Sequence, residues 1–381
     1  MTDKKPKVFL LANTFWNLYN FRSGLIKVLL NSGHEVFAIA SRAEDEYEDA
    51  LQALGCQVRS ISIDSKGIHP IRDFWTVFQL LLLYFRERPN VCLLYTAKPN
   101  IYGSLVASLF GCTYINNISG LGSAFIHGGW LKTFIAHLYK LTLSKSHRVF
   151  FQNKDDLDLF VCSGLIKSKQ SGLLPGSGVD LDRYKPEVKI HQFNYNEPFT
   201  FVLIARMLKD KGVREYVEAA SIVHQSYNGI QFQLLGPLGV ENPSAISPSQ
   251  MKNWVQEGSI RYLGSAKDVR PFIASSTCVV LPSYREGTPR TLLEAAAMGK
   301  PIITTDVPGC KDVVESNKTG FLCQARSAED LAQKMMQMIE LSNSERKEMG
   351  RLGRQKMEKE YGVNLVIDLY MEEIKKVLPN N

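Results

Sequence analysis

The feature that most constrains this chain is an alternation of short apolar runs with amphipathic stretches, carried through once and then repeated. In the first half, strand-like runs fall at 8–13, 35–40, 58–63, 91–95, 113–117 and 148–152, with helix-like stretches at 21–31, 70–88, 101–110, 131–143 and 155–162 between or after them. Strand–loop–helix repetition of this kind implies parallel sheets with helices on both faces. The pattern breaks over 183–198, which is polar, carries Pro186 and Pro198 and has no clear period, as a linker does. It resumes with strands at 199–205, 231–235, 260–263, 278–281 and 302–305, and three helices at 328–341, 345–361 and 365–378 close the chain.

The expected fold is therefore α/β, with two doubly wound, Rossmann-like domains facing across a cleft. Residues 1–183 form the first domain, 184–197 the linker and 198–381 the second, with the last helix able to return onto the first. In open sheets of this type ligands bind outside the carboxyl ends of the strands. Candidate site residues are therefore sought just after each strand.

Composition narrows the setting. The seven cysteines are scattered and odd in number, with no Cys-x-x-Cys pair, so neither a disulfide framework nor a structural zinc site is expected. A reducing, cytoplasmic compartment fits. The apolar run 8–12 is too short for a signal-peptide core and reads as the first buried strand. The longest apolar stretch, 74–85, is broken by Thr76 and Gln79 and falls short of the ~20 residues of a spanning helix, so a packed helix is expected.

Net charge is +7, and 101–153 contains Lys132, Lys140, Lys145 and Arg148 but no Asp or Glu. Such a stretch suits an anionic partner. With Trp130, Phe134, His137 and Tyr139 nearby, it reads either as a membrane-facing patch or as a core helix with solvated lysines. No RNA- or DNA-binding motif is present, and no nucleic-acid partner is expected.

Five strand-end segments carry the chemistry. The first is Leu281-Pro282-Ser283-Tyr284-Arg285-Glu286-Gly287-Thr288-Pro289-Arg290-Thr291-Leu292-Leu293-Glu294. Thr288 is placed to cap a helix starting at Pro289, and Gly287 frees the backbone ahead of that helix, a natural seat for phosphate. Glu286 and Glu294 offer carboxylates to paired hydroxyls. An ordinary capped helix with a solvated Glu is the plain alternative.

The second segment places Arg206 and Lys211 after the first strand of the second domain, where a planar fork and a point charge would meet a diphosphate; a merely solvating basic loop is the alternative. The third, Leu174-Pro175-Gly176-Ser177-Gly178-Val179-Asp180, reads equally as a ligand loop or a hinge. The fourth, Ser119-Gly120-Leu121-Gly122-Ser123, is a weak phosphate or sugar loop, because Gly-x-Gly is common. The fifth, Thr96-Ala97-Lys98-Pro99-Asn100, points Lys98 at the cleft or caps a helix with Asn100.

The loop 13–20, including Asn20 and with Arg22 beyond it, occupies the first βα turn. It lacks the glycines of a dinucleotide fingerprint, which argues against NAD or FAD. Asp156-Leu157-Asp158 matches a metal-nucleotide pattern but opens a helix, where acids favour the dipole; no metal site is expected. No Gly-x-Ser-x-Gly or P-loop occurs.

On 175–180, 205–212 and 283–299 the chain resembles glycosyltransferase family 4, and the resemblance runs nearly its whole length. It implies the two-Rossmann-domain fold called GT-B. It also implies a retaining, metal-independent hexosyl transfer with no cofactor and a nucleotide sugar as co-substrate. By that resemblance Arg206 and Lys211 grip the donor diphosphate, Glu286 touches the donor sugar and Glu294 the ribose. Gly287, Thr288, Pro289, Arg290 and Thr291 complete the donor site.

Tyr19-Asn20-Phe21-Arg22, Gly120-Leu121-Gly122-Ser123 and Tyr284-Arg285-Glu286-Gly287 are similar to bacterial members that extend undecaprenyl-diphosphate-linked sugars. That likeness implies a UDP-N-acetylhexosamine donor (N-acetylgalactosamine favoured), a lipid-linked acceptor and a place at the inner face of the cytoplasmic membrane. Asn20, Arg22, Lys98, Ser119, Gly120 and Gly122 are the candidate acceptor or phosphate contacts. The chain departs from the family in two places: Ser119 stands where many members have a histidine, and Trp16-Asn17-Leu18-Tyr19 replaces a Gly-Gly. The alternatives carried forward are a nucleotide-sugar epimerase on the same fold and a non-catalytic anion-binding protein.

Overall fold

The computed structural model describes residues 5–41, 45–64, 69–121, 129–186 and 198–378. Within it the chain forms two compact units, one of residues 1–177 with 363–381 and one of residues 178–362.

The first unit is built on a parallel sheet of seven described strands. They are β1 (Lys7–Thr14), β2 (Glu35–Ser41), β3 (Gln57–Ser60), β4 (Val91–Tyr95), β5 (Thr113–Ile118), β6 (Arg148–Phe151) and β7 (Ser171–Leu173), in the spatial order β3-β2-β1-β4-β5-β6-β7. Chain order reverses between β1 and β4, so that pair is the topological switch point. The inner strands are buried on both faces, as their near-continuous apolar sequences require. Helix α1 (Phe15–Asn31) covers one face, followed by α2 (Asp45–Ala53). The other face carries α3 (Pro70–Glu87), α4 (Ser104–Leu109, entered through a wide turn at Pro99–Gly103), α5 (Trp130–Leu143) and α6 (Lys154–Cys162).

Helix α1 starts six residues earlier than the sequence pattern suggests. Thr14 caps it by accepting from Asn17 N at 3.2 Å, and Phe15, Leu18, Arg22, Leu25, Ile26 and Leu29 form its buried stripe. The presumed 13–20 loop is therefore mostly helix.

The second unit repeats the plan with β8 (Thr200–Ile204), β9 (Gln231–Leu235), β10 (Arg261–Tyr262), β11 (Cys278–Leu281), β12 (Ile302–Thr305) and β13 (Gly320–Cys323), all parallel, in the order β10-β9-β8-β11-β12-β13. Its switch point is β8/β11. Helices α7 (Val213–His224), α8 (Pro248–Gln256), α9 (Arg270–Ser275), α10 (Arg290–Ala297), α11 (Ala328–Glu340) and α12 (Asn343–Lys356) follow in chain order. The short strands β7 and β13 and helix α2 fall outside the pattern read from sequence, being too brief to show a period.

The unit boundary lies at 177/178, ahead of the expected linker, whose residues 187–197 fall outside the described residues. The cause is local. Val179 N donates to Tyr361 O at 2.8 Å, and Arg354 donates to the carbonyls of Leu181, Tyr184 and Ala297, so 178–184 is stitched into the second unit. The closing helix α13 (Val363–Val377) instead belongs to the first unit, burying Val366, Ile367, Tyr370, Met371 and Ile374 in the core beneath α1.

Candidate functional site

The strongest constellation gathers at the carboxyl ends of β8, β11 and β12. Two backbone hydrogen bonds and one from a side chain fix these loops against one another. Tyr284 N donates to Asp210 O at 3.0 Å, Glu286 N to Pro308 O at 3.2 Å, and the Thr291 hydroxyl to Ile204 O at 3.1 Å. Two glycines make the approach possible. Gly212 has φ +70°, and a Cβ there would stand 2.1 Å from Pro282 O; Gly309 has φ +81°, and a Cβ there would stand 2.2 Å from Gly287 O. Any side chain would push the loops apart.

Lys211, in the single 3-10 turn Lys209–Lys211, ion-pairs with Glu286. The Ser283 hydroxyl donates to the same Glu286 oxygen at 2.8 Å. An ammonium has three donors, so Lys211 keeps capacity for a second anion while it holds Glu286. Arg206, just beyond the end of β8, is exposed and makes no side-chain hydrogen bond or ion pair among the described residues.

One helical turn on, Arg290 Nε donates to Glu294 Oε1 at 2.7 Å. Glu294 is only 6 % exposed. Burial pushes its carboxyl above the usual range, with Arg290 and the Tyr184 hydroxyl pulling the other way. Burial and the neighbouring Glu294 raise the Tyr184 phenol to about 12.

The helix itself departs from expectation by one residue. It begins at Arg290, and the Pro289 carbonyl accepts from Leu292 N, which makes Pro289 rather than Thr288 the cap residue. In the preceding loop the backbone of Glu286 and Gly287 packs against Gly309. The helix ends at Ala297, with Met298 its cap and Gly299 left-handed beyond it.

Several contacts around the site are visible only in the fold. Tyr284 donates to Glu215 Oε1 at 2.6 Å and lies 4.6 Å beneath the Arg326 guanidinium. Tyr184 reaches Glu294. The segment after β12 packs on the Glu286 loop through Pro308 and Gly309; its position after a strand was the available signal. Glycines 176 and 178 both have positive φ, and Asp180 accepts from the backbone of Asp182 and Arg183, so that segment is a built turn at the unit boundary.

The first unit treats its candidates differently. Arg22 is buried in α1 with its guanidinium 4.2 Å from the Tyr95 ring, and Asn20 donates to Trp16 O within the helix. Lys98 pairs with Asp73 of α3 at 2.5 Å and is nearly buried, rather than open to solvent. Asn100 does not cap a helix; it donates to Asn117 O and accepts from Asn116, tying the ends of neighbouring strands. Thr96, at the end of β4, holds φ +69° and donates to Asn13 Oδ1 across the switch point. A β-branched residue in that conformation is strained and held by its surroundings. Ser119 is exposed, and Gly120 has φ +140°. Gly122 and Ser123 lie outside the described residues. Asp156 is part of a helix cap, exchanging hydrogen bonds with Asn153.

Two parallel-sheet, Rossmann-like units with a charged site at the strand ends of the second define the GT-B class of glycosyltransferases. The family described as "Glycosyl transferase 4-like" matches residues 7–153, and "Glycosyl transferases group 1" matches 198–341. The chain belongs to these family-4 glycosyltransferases.

It is 28% identical over 352 residues to the N,N'-diacetylbacillosaminyl-diphospho-undecaprenol alpha-1,3-N-acetylgalactosaminyltransferase of Campylobacter jejuni, covering 88% of this chain and 89% of that protein. It is 24% identical to the capsular polysaccharide biosynthesis glycosyltransferase CapM of Staphylococcus aureus, covering 95% of each. Among solved structures, Anabaena HepE in complex with UDP-glucose superposes with a TM-score of 0.78 at 15% identity, over 98% of this chain and all of that one.

Proposed function

We propose that this chain moves a sugar from a UDP-sugar to a lipid-linked acceptor in surface polysaccharide or glycan assembly. In this reading the sugar is an N-acetylhexosamine, N-acetylgalactosamine before others, and the acceptor lipid is undecaprenyl diphosphate. The enzyme retains anomeric configuration, needs no metal and works at the cytoplasmic face of the membrane. The acceptor and the sugar follow the names of relatives. The donor chemistry rests on one observation: Arg206 and Lys211 follow β8, and Glu286 and the helix carrying Glu294 follow the adjacent β11, at the switch point of the second sheet.

The chemistry follows from the geometry. Breaking the bond between the sugar and the diphosphate puts negative charge on the departing oxygen. Arg206 and Lys211 meet that charge with cations, that of Lys211 held in place by Glu286, and the amino end of α10 adds its partial positive charge. Glu286, held by Lys211 and Ser283, is placed to accept from a sugar hydroxyl, and Glu294 from the ribose diol.

The test is acceptor-dependent transfer with a panel of UDP- and GDP-sugars. Arg206→Ala should lower turnover roughly 100-fold or more, the usual cost of removing one donor aimed at developing charge. Near-normal transfer by that variant would refute the assignment. Release of free sugar or an epimer from donor alone, with no transfer, would favour the epimerase.

A further inference from the structure

Helix α3 carries an apolar face that the fold does not use. Asp73, Thr76, Leu80 and Tyr84 turn inward, against the sheet. On the opposite side stand Ile71 (86 % exposed), Phe74 (72 %), Trp75, Phe78, Leu82 and Phe85 (61 %). Their spacing of three or four residues, with 74 and 75 adjacent, sets all six within about 100° of arc, a single stripe running the length of the helix. The 74–85 segment expected to be a packed helix is thus packed on one side only. The neighbouring helices continue the theme: Leu109 and Phe110 end α4, and Phe134 and Leu141 stand out from α5.

Charge on this face is of one sign. The two acids of α3 are engaged inward, Asp73 with Lys98 and Glu87 with Lys7 and Arg59. Arg86 and Arg88 are exposed at its C-terminal end, and Arg72 flanks the stripe at the other, paired with Asp64. Helix α5 adds exposed Lys132 and Lys140, with Lys145 just beyond, in a stretch free of acids. Tyr139, expected on a membrane patch, is instead buried against Phe160, so α5 is both a core helix and a rim of exposed lysines.

From this juxtaposition we infer that the α3 face docks on an anionic lipid bilayer, with the Ile71–Phe85 stripe entering the interface and the arginines and lysines meeting headgroups. An aromatic-rich apolar stripe edged with basic residues is the chemistry of a helix lying in the membrane plane. A second copy of the chain is a poorer occupant, because a face-to-face pair would set Arg72, Arg86 and Arg88 among their own kind with no exposed acid on α3 to answer them. The inference rests on the proposal above that the acceptor is lipid-linked, and gives that reading its membrane contact.

The experiment is co-sedimentation of the full chain with vesicles containing phosphatidylglycerol and with pure phosphatidylcholine, with UDP-induced thermal stabilisation measured alongside. The wild type should bind the anionic vesicles preferentially. Phe74→Ser with Trp75→Ser should weaken binding at least roughly tenfold, and Arg86→Ser with Arg88→Ser roughly tenfold at low salt. Both double variants should keep the wild-type melting temperature and UDP response, while Val255→Ser, an exposed apolar residue of the second unit, should change nothing.

Wild-type-like vesicle binding by the Phe74/Trp75 variant, or no binding by the wild type, would overturn the inference and leave the donor site standing. A wild-type dimer dissociated by the same variant would overturn it in favour of a second copy. Loss of the UDP response in the wild type would strike the proposed function instead.

Discussion

The two sheets obey the same topological rule and end differently. At the β8/β11 switch point of the second unit, the cation of Arg206 is exposed and that of Lys211 is shared with Glu286. At the β1/β4 switch point of the first, Arg22 is buried over Tyr95 and Lys98 is held by Asp73. One strand-end surface leaves a cation open to solvent; the other uses its charge to hold its own elements together. The same fold therefore assigns similar residues opposite duties, and position after a strand does not by itself distinguish them.

The largest expected effect sharpens this contrast. Lys211→Met should cut turnover by roughly 100-fold. Lys98→Met should leave buried Asp73 without its cation, at a cost of about 3 kcal/mol, while UDP affinity is kept. Melting curves and UDP titrations on both variants check the pair, and equal losses of affinity would erase the distinction.

Next is Gly212→Ala, which must adopt a left-handed conformation with its Cβ against Pro282 O. About 3 kcal/mol of destabilisation is expected by denaturant titration, the range of backbone clashes with strain.

Smaller effects separate the units by pH. Glu294 has a raised carboxyl pKa, so its contribution to stability is full below its ordinary value of 4.5 and is lost as pH rises through the raised one. Glu294→Gln should therefore match or exceed the wild type in ligand-free stability at neutral pH, with the difference closing as pH falls towards 4.5.

Glu373 of α13, held by Lys376, Arg148 and His147, is shifted down despite burial. Its contribution is present above the ordinary carboxylate value and is lost as pH falls through the lowered one. Glu373→Gln should accordingly flatten the acid side of the stability profile. Unfolding curves from neutral pH down to pH 4 and below measure both, and profiles of the same sign would contradict the assignment.

What the sequence made legible follows the same line. Both sheets, the order of the main elements and the donor-side loops could be read, because parallel strands are long apolar runs and the Glu286–Glu294 segment is contiguous. The partners of those loops could not. Tyr184 and Glu215 come from elsewhere in the chain, and Gly309 matters only because its backbone touches Gly287. In the first unit the features hidden from the sequence have one cause. Burial of Arg22 depends on a helix whose start is set by the Thr14 cap, and burial of Lys98 depends on Asp73, 25 residues away. The open face of α3 was hidden for a related reason, since an apolar run shows that a helix is amphipathic but not whether a neighbour covers it.

The central claim is that the strand ends of the second sheet seat a nucleoside diphosphate. The most direct measurement is the UDP-induced rise in melting temperature of the full chain and of Arg206→Ala with Lys211→Met. The account predicts a clear rise for the wild type and for Lys98→Met, and none for the Arg206/Lys211 double variant. An undiminished rise in that double variant would contradict it.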